Sequence, residues 1–226
     1  MRRGGESSVK RLASATAALL ACGVLECTAA TLTVTVVDER GAPVARVAVH
    51  AVAAAPRAVS ERSTPTAVMD QKDNAFVPNL LVVETGTSVL FPNSDSVSHH
   101  VYSFSEAKAF ELGLYKGDVY PPVQFDKPGI VVLGCNIHDG MLGYIVVVDT
   151  PHFATTDEDG TVVLDGLAPG DYVVDIWTPR ARPSGLPAAT LVAVAQSGTN
   201  ATSFTLRGKL ADDHDHRAAG LSWERY

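Results

Sequence analysis

Sulfur is scarce in this chain of 226 residues, with three cysteines and three methionines. The cysteines stand at 22, 27 and 135, so Cys135 alone lies beyond the first thirty residues. A lone thiol has no intrachain disulfide partner; it is buried and inert, reactive, or bound to something. Positive charge is also short: 18 Lys and Arg stand against 25 Asp and Glu, for a net charge of −7. That argues against nucleic acid, whose binders show a basic patch or stripe, and suits a solvated surface or a basic partner. After residue 30 no segment of convincing length carries the helical period. There is no G-x-S-x-G, no H-E-x-x-H and no phosphate-cradling glycine loop, so the chain is not expected to be an enzyme.

What is present is a globular composition, 46 % hydrophobic and 19 % charged, long enough for one large domain or two small ones. Residues 1–30, "MRRGGESSVKRLASATAALLACGVLECTAA", have a basic front, an apolar run from Leu12 to Leu25 and small residues after it. This is the pattern of a secretory signal, too short and wrongly flanked for a membrane span, with cleavage expected after Ala30. The stretch Leu19–Cys22 also resembles a bacterial lipobox, which would make Cys22 a lipid anchor and keep Cys27 beside it. Either way the protein is expected outside the cytoplasm, in the periplasm or an equivalent compartment.

Short alternating runs dominate the rest. "TLTVTVV" (31–37) puts Leu32, Val34 and Val36 on one face and threonines on the other. "ERGAP" turns, and "VAVHAV" follows as a strand. Later come "TTDEDGTVVLDGLAPGDYVVDIW", "TLVAV" and "ATSFTL", strands punctuated by Gly, Asp and Pro. The fold class expected is all-β, built from sandwiches. The middle, 64–149, has its own rhythm. "AFVPNLLVVETGTSVLFPNSDS" reads as two strands joined by Glu84-Thr85-Gly86. "HHVYSF", "VQFDKPGIVVLGC" and "GYIVVVD" add more, while "EAKAFELGLYKGDVYPP" reads as irregular. The tail, 209–226, is polar and expected to be loose.

The stretch "GCNIHDGMLGY" (134–144) sets a thiol, an imidazole and a thioether three residues apart, at Cys135, His138 and Met141. Taken singly, each has a plainer explanation: a small buried hydrophobe, a surface histidine, a core filler. Taken together they supply one of each ligand type of a blue copper site, whose plane holds two His and one Cys under a weak, long axial Met. The missing imidazole must come from another strand. "FPNSDSVSHHVYSF" supplies one in a strand that opens His99-His100. Zinc is the rival metal, since it takes Cys and His, but a thioether is no usual zinc ligand.

Residues 64–149 resemble the cupredoxin family. The likeness is carried by Phe76, Pro78, Val83, Gly86, Val89, Phe91 and Asn93, the His-x-Val after them, and "F-x-x-P-G…C-x-x-H-x-x-M-x-G" at the end. The Cys-x2-His-x2-Met spacing is the short-loop, amicyanin-like form, and the whole is similar to cupredoxin-like proteins of methylamine utilisation. The resemblance implies a Greek-key sandwich holding one type 1 copper through His99, Cys135, His138 and Met141. His99 is implied because the family pattern is His-Asn-Val, with His100 here in the Asn place. That Asn ties the ligand loops together, so His100 departs from the pattern and is itself a competing candidate. Neighbouring side chains on a strand point to opposite faces, so only one of the pair should reach the metal.

The flanks, 31–60 and 150–208, resemble two halves of a carboxypeptidase regulatory-like domain, a small transthyretin-like or Ig-like sandwich. The matching residues are "D-x-x-G-x-P-V" and "T-D-x-x-G…L-x-P-G-x-Y". The cupredoxin domain would then be an insertion, leaving and re-entering near Arg62 and Thr150, as sandwich loop tips tolerate. The function implied is single-electron transfer between redox partners, a cytochrome or a periplasmic dehydrogenase, with His138 near the surface. Copper sequestration or delivery is the alternative, and a docking module with a vestigial site is a third. Elsewhere "TDEDG" (156–160) is expected to be a turn rather than a calcium loop. "DDHDH" (212–216) is expected to be solvated tail, and His50 and His152 to be exposed.

Overall fold

The structure, a computed structural model, describes residues 29–55, 65–117 and 120–212. The expected signal segment with Cys22 and Cys27, the expected exit point at Arg62 and the tail beyond Asp212 lie outside the described residues. In chain order come β1 (Ala30–Asp38) and β2 (Ala48–Ala53). Ten strands follow: β3 (Thr66–Val68), β4 (Asp70–Lys72), β5 (Ala75–Val77), β6 (Leu80–Glu84), β7 (Ser88–Leu90), β8 (His99–Ser105), β9 (Lys108–Tyr115), β10 (Val123–Gln124), β11 (Gly129–Cys135) and β12 (Leu142–Val148). The last five are β13 (Phe153–Thr155), β14 (Thr161–Leu167), β15 (Gly170–Trp177), β16 (Thr190–Val194) and β17 (Asn200–Leu206). Apart from a single 3-10 turn at Pro183–Gly185, every regular element among the described residues is a strand, as the all-β expectation requires. No helix among them is long and apolar enough to cross a membrane.

Strand β1 shows how the alternation works. Leu32, Val34 and Val36 are fully buried, and each such side chain contributes about 1.5–3 kcal/mol by leaving water. β1 sits between β14, antiparallel, and β17, parallel. Facing this sheet is a second one, ordered β13-β2-β15-β16. Leu32, Val34 and Val36 share a core with Val49 and Ala51 from β2, Val162 and Leu164 from β14, and Tyr172 and Val174 from β15. Chain on both sides of the middle segment therefore builds one core. Chain leaving that segment is tied to β2: the Thr150 hydroxyl donates to the Ala51 carbonyl at 2.7 Å, and the Ala51 amide donates to the His152 carbonyl at 2.9 Å. Thr156, also buried, adds a second stitch by donating to the Val44 carbonyl at 2.8 Å and accepting from the Val47 amide at 3.0 Å.

The middle segment forms a five-stranded sheet, β6-β12-β11-β8-β9, packed over the smaller sheet β10-β7-β3 and the hairpin β4-β5. β6 and β7 are joined by the expected turn but belong to different sheets, so this turn carries the chain from one layer to the other. Between the layers lies a core of Met69, Phe76, Val89, Phe91, Phe125, Leu133 and Ile145, which also takes in Cys135 and Met141. β12 is apolar throughout because both its faces are covered. Ile145 and Val147 point into this core; Tyr144, Val146 and Val148 point the other way, into a third core shared with Ala48 of β2. Trp177 of β15 packs against Tyr144 there, with ring centroids 5.5 Å apart. Gly143 has to be glycine, since a Cβ would stand 2.8 Å from the Phe76 ring.

Two expectations change and a third holds. Residues 108–115, expected to be irregular, form β9 beside β8. A register shift between His99 and Val101 places the buried residues Leu112 and Tyr115 three apart instead of two, which hides the strand period. His50 and His152 are partly buried, not exposed. Burial pulls the His50 pKa below its ordinary value, against the opposing charge of Asp175. "TDEDG" is the expected turn: Asp157 Oδ1 accepts the Asp159 and Thr161 amides at 3.0 and 2.9 Å.

Candidate metal centre

His99 opens β8 and Cys135 closes β11, two strands paired so that Cys135 lies opposite Val101. The turn after Cys135 folds back on itself. The Met141 amide donates to the His138 carbonyl and the Cys135 amide to the Met141 carbonyl, each at 3.2 Å. This closure swings His138 over the end of the sheet. His99 Nδ1 then lies 3.0 Å from His138 Nδ1, and Cys135 Sγ lies 3.6 Å from the first and 3.4 Å from the second. A point about 1.9 Å from all three atoms falls inside that triangle, near the roughly 2.0–2.1 Å of zinc–imidazole bonds and somewhat short of the roughly 2.3 Å of zinc–thiolate bonds. Among the described residues this is the sole group of three or more Cys, His, Asp or Glu placed to hold a metal ion.

His99 is fully buried and Cys135 and Met141 nearly so, whereas His138 is partly exposed beside Ile137, which is 51 % exposed. Met141 sits at the closing end of the turn, in the same core as Cys135. His100 points away, its Nε2 2.8 Å from Glu111 Oε1 on the outer face. The place filled by Asn in the resembled pattern still ties the loops, but through main chain: the Asn136 amide donates to the His100 carbonyl at 3.1 Å.

One residue that bears on the site had no role in the sequence reading. Asp95 Oδ2 lies 3.0 Å from His99 Nε2. A carboxylate on the far nitrogen of a ligating imidazole fixes its tautomer and orientation. The available signal was an acid four residues before His99 in "NSDSVSHH". The Asn74 amide first, and the His99 ring second, hold the Asp95 carboxyl well below the usual carboxylate range. Asn93 shapes the loop that carries it, accepting the Asp95 amide at 3.0 Å and donating to the carbonyls of Val97 and Tyr115 at 3.0 and 2.9 Å. Next to Cys135, Gly134 lets the Tyr102 ring lie against the chain, since a Cβ there would be 2.8 Å from it.

No protein-family profile matches the chain, and no curated protein is similar to it. Solved structures are. A purple cupredoxin from Nitrosopumilus maritimus is 20 % identical over 37 % of this chain and 99 % of its own, with a TM-score of 0.32. An amicyanin variant in its reduced state is 22 % identical over 44 % of this chain and 99 % of its own, with a TM-score of 0.34. A copper-containing nitrite reductase from Thermus scotoductus is 24 % identical over 44 % of this chain and 26 % of its own, with a TM-score of 0.36.

The donor set fits copper on its own chemistry. Thiolate and thioether are soft, imidazole is borderline, and the combination suits a metal that cycles between its two oxidation states. Zinc would be served by the thiolate and imidazoles and would leave Met141 without a part.

Proposed function

We propose that this chain is an extracytoplasmic type 1 copper protein that carries single electrons between redox partners. The observation that carries the proposal is the convergence of Cys135 Sγ with the Nδ1 atoms of His99 and His138. Met141, in the same core as Cys135, would join these three in holding copper. Copper there supplies reversible one-electron exchange. Holding the metal through these four side chains would suit an electron carrier rather than a catalyst, whose metal keeps a position open. Cys135 and His99 are enclosed, which would hold them in place during exchange. His138 is the ligand nearest solvent, and the exposed Ile137 beside it offers a cytochrome or periplasmic dehydrogenase an apolar contact. The flanking sandwich acts as a support, covering the outer face of β12.

Protein-film voltammetry of the copper-loaded protein, paired with Cu(I) competition against a chelator, tests this. A reversible one-electron wave with copper retained in both states is expected. Rapid loss of Cu(I) to the chelator would point instead to sequestration or delivery. A wave-free, colourless protein with a titrating thiol would mean a docking module with a vestigial site.

A further inference from the structure

We propose that the tip of the β4–β5 hairpin, Asp73–Asn74, is a positioning element for His99 that acts through a single oxygen of Asp95. The proposal rests on His99 being a metal ligand, as read above. β4 and β5 pair with Lys72 opposite Ala75, which leaves Asp73 and Asn74 as a two-residue loop. Both take positive φ, +54° and +57°. Such loops need this left-handed backbone at both positions, and Asp and Asn are the side chains that tolerate it best after glycine. The Asn74 amide reaches Asp95 Oδ2 at 2.8 Å. That same oxygen faces His99 Nε2 at 3.0 Å. The other oxygen accepts the Ser96 amide at 2.6 Å. The carboxylate is thus gripped on both oxygens, and its side chain is 8 % exposed beside a fully buried imidazole.

An ionised carboxylate only accepts hydrogen bonds. Facing His99 Nε2, it demands the proton there and leaves Nδ1 with a bare lone pair, aimed at Cys135 and His138. The hairpin is itself anchored to the loop it serves. Asp70 Oδ1 accepts the Ser94 amide at 3.1 Å, and the buried Gln71 side chain donates to the Pro92 carbonyl at 3.0 Å. A turn 21 residues before Asp95 in sequence therefore holds the ligand's tautomer from outside the ligand loops.

The test uses four variants of the full chain: Asp95→Leu, Asp95→Asn, Asn74→Val and Asn74→Gly. Imidazole nitrogen NMR of the metal-free protein reads the His99 tautomer, and chelator competition reads copper affinity. Wild type and Asn74→Gly, which keeps the amide and tolerates positive φ, should both hold the Nε2–H tautomer. Asp95→Leu should lose it, with copper affinity falling about 10–100-fold, as for other groups that orient a ligand. Asp95→Asn, close to isosteric, tests the same point if the leucine variant fails to fold. It should give a mixture of tautomers. Asn74→Val, strained at this φ, should move in the same direction by less. An unchanged tautomer in Asp95→Asn and Asn74→Val, with affinity within about twofold of wild type, would overturn the proposal and leave the copper assignment standing. Tautomers that follow the variants in a protein that never binds copper would support the positioning role and remove the proposed function instead.

Discussion

Leu164→Ala strikes the seam where chain before and after the middle segment is joined. Leu164 is 2 % exposed and lies directly opposite Leu32 in the β1–β14 pair. The change removes the equivalent of three buried carbon groups, about 2.4 kcal/mol at 0.8 each. Incomplete collapse of the cavity adds to this, for a total of about 3 kcal/mol, within the 2–5 kcal/mol usual for buried leucines. That is roughly a hundredfold in the folding equilibrium, and about 1–2 M in the urea midpoint if the slope is near 2 kcal/mol/M. Urea titration followed by far-ultraviolet circular dichroism reads the shift. Reactivity of the Cys135 thiol in the metal-free protein reports on the other core. Because Tyr144, Val146 and Val148 on β12 pack into a core with Ala48, with Trp177 against it, the thiol should become reactive at the lowered midpoint too. A change within 0.5 kcal/mol, the range of ordinary surface substitutions, would refute the shared core. A thiol that stays protected after the dichroism has gone would refute its coupling to the sheet that carries Cys135.

Three further outcomes are expected. His99→Ala should abolish the visible spectrum of the copper-loaded protein while His100→Ala, whose ring pairs with Glu111, keeps it; absorption spectra of the two variants decide. Met141→Gln should retain copper but shift the potential and spectrum, because an axial ligand tunes more than it holds. Complete metal loss with the fold intact would show Met141 doing more than that. Burial pushes the Tyr115 phenol up to about 12 from an ordinary 10.0, against the lowering effect of its Gln71 hydrogen bond. The neutral form is thus favoured in the fold. Its contribution is full below about pH 10 and lost as pH rises toward 12, so Tyr115→Phe should lose less stability across that window than wild type does.

Local pattern carried much of this architecture. The alternation of Leu32, Val34 and Val36 marks β1 as half-buried, and the unbroken "YIVVV" of β12 reflects two covered faces. The cluster "CNIHDGM" stood out from its chemistry alone, and the fold brings its Cys135 and His138 together with His99. What stayed hidden depends on registers and long-range hydrogen bonds. β9 loses its period at a register shift that only the pairing with β8 reveals. Alternation said that one of His99 and His100 must face inward, and the burial of β8 shows which. Asp95 looked like any turn aspartate until the fold brought the Asn74 amide and the His99 ring to one of its oxygens. Thr150 and Thr156 likewise look like solvent-facing threonines, yet both are buried and close the seam across about a hundred residues.

The most direct measurement is the visible absorption spectrum of the copper-loaded protein beside that of Cys135→Ser, with metal content measured on both. The wild-type protein should take up one copper ion per chain at the His99–Cys135–His138 triangle and show an intense band from thiolate-to-copper charge transfer. The serine variant should keep its β-rich circular dichroism, lose the band and most of its copper, because a hydroxyl is a hard, weak substitute for thiolate. A coloured, copper-loaded serine variant, or a wild-type protein that stays colourless in excess copper with its thiol free to react, would contradict the assignment of this centre.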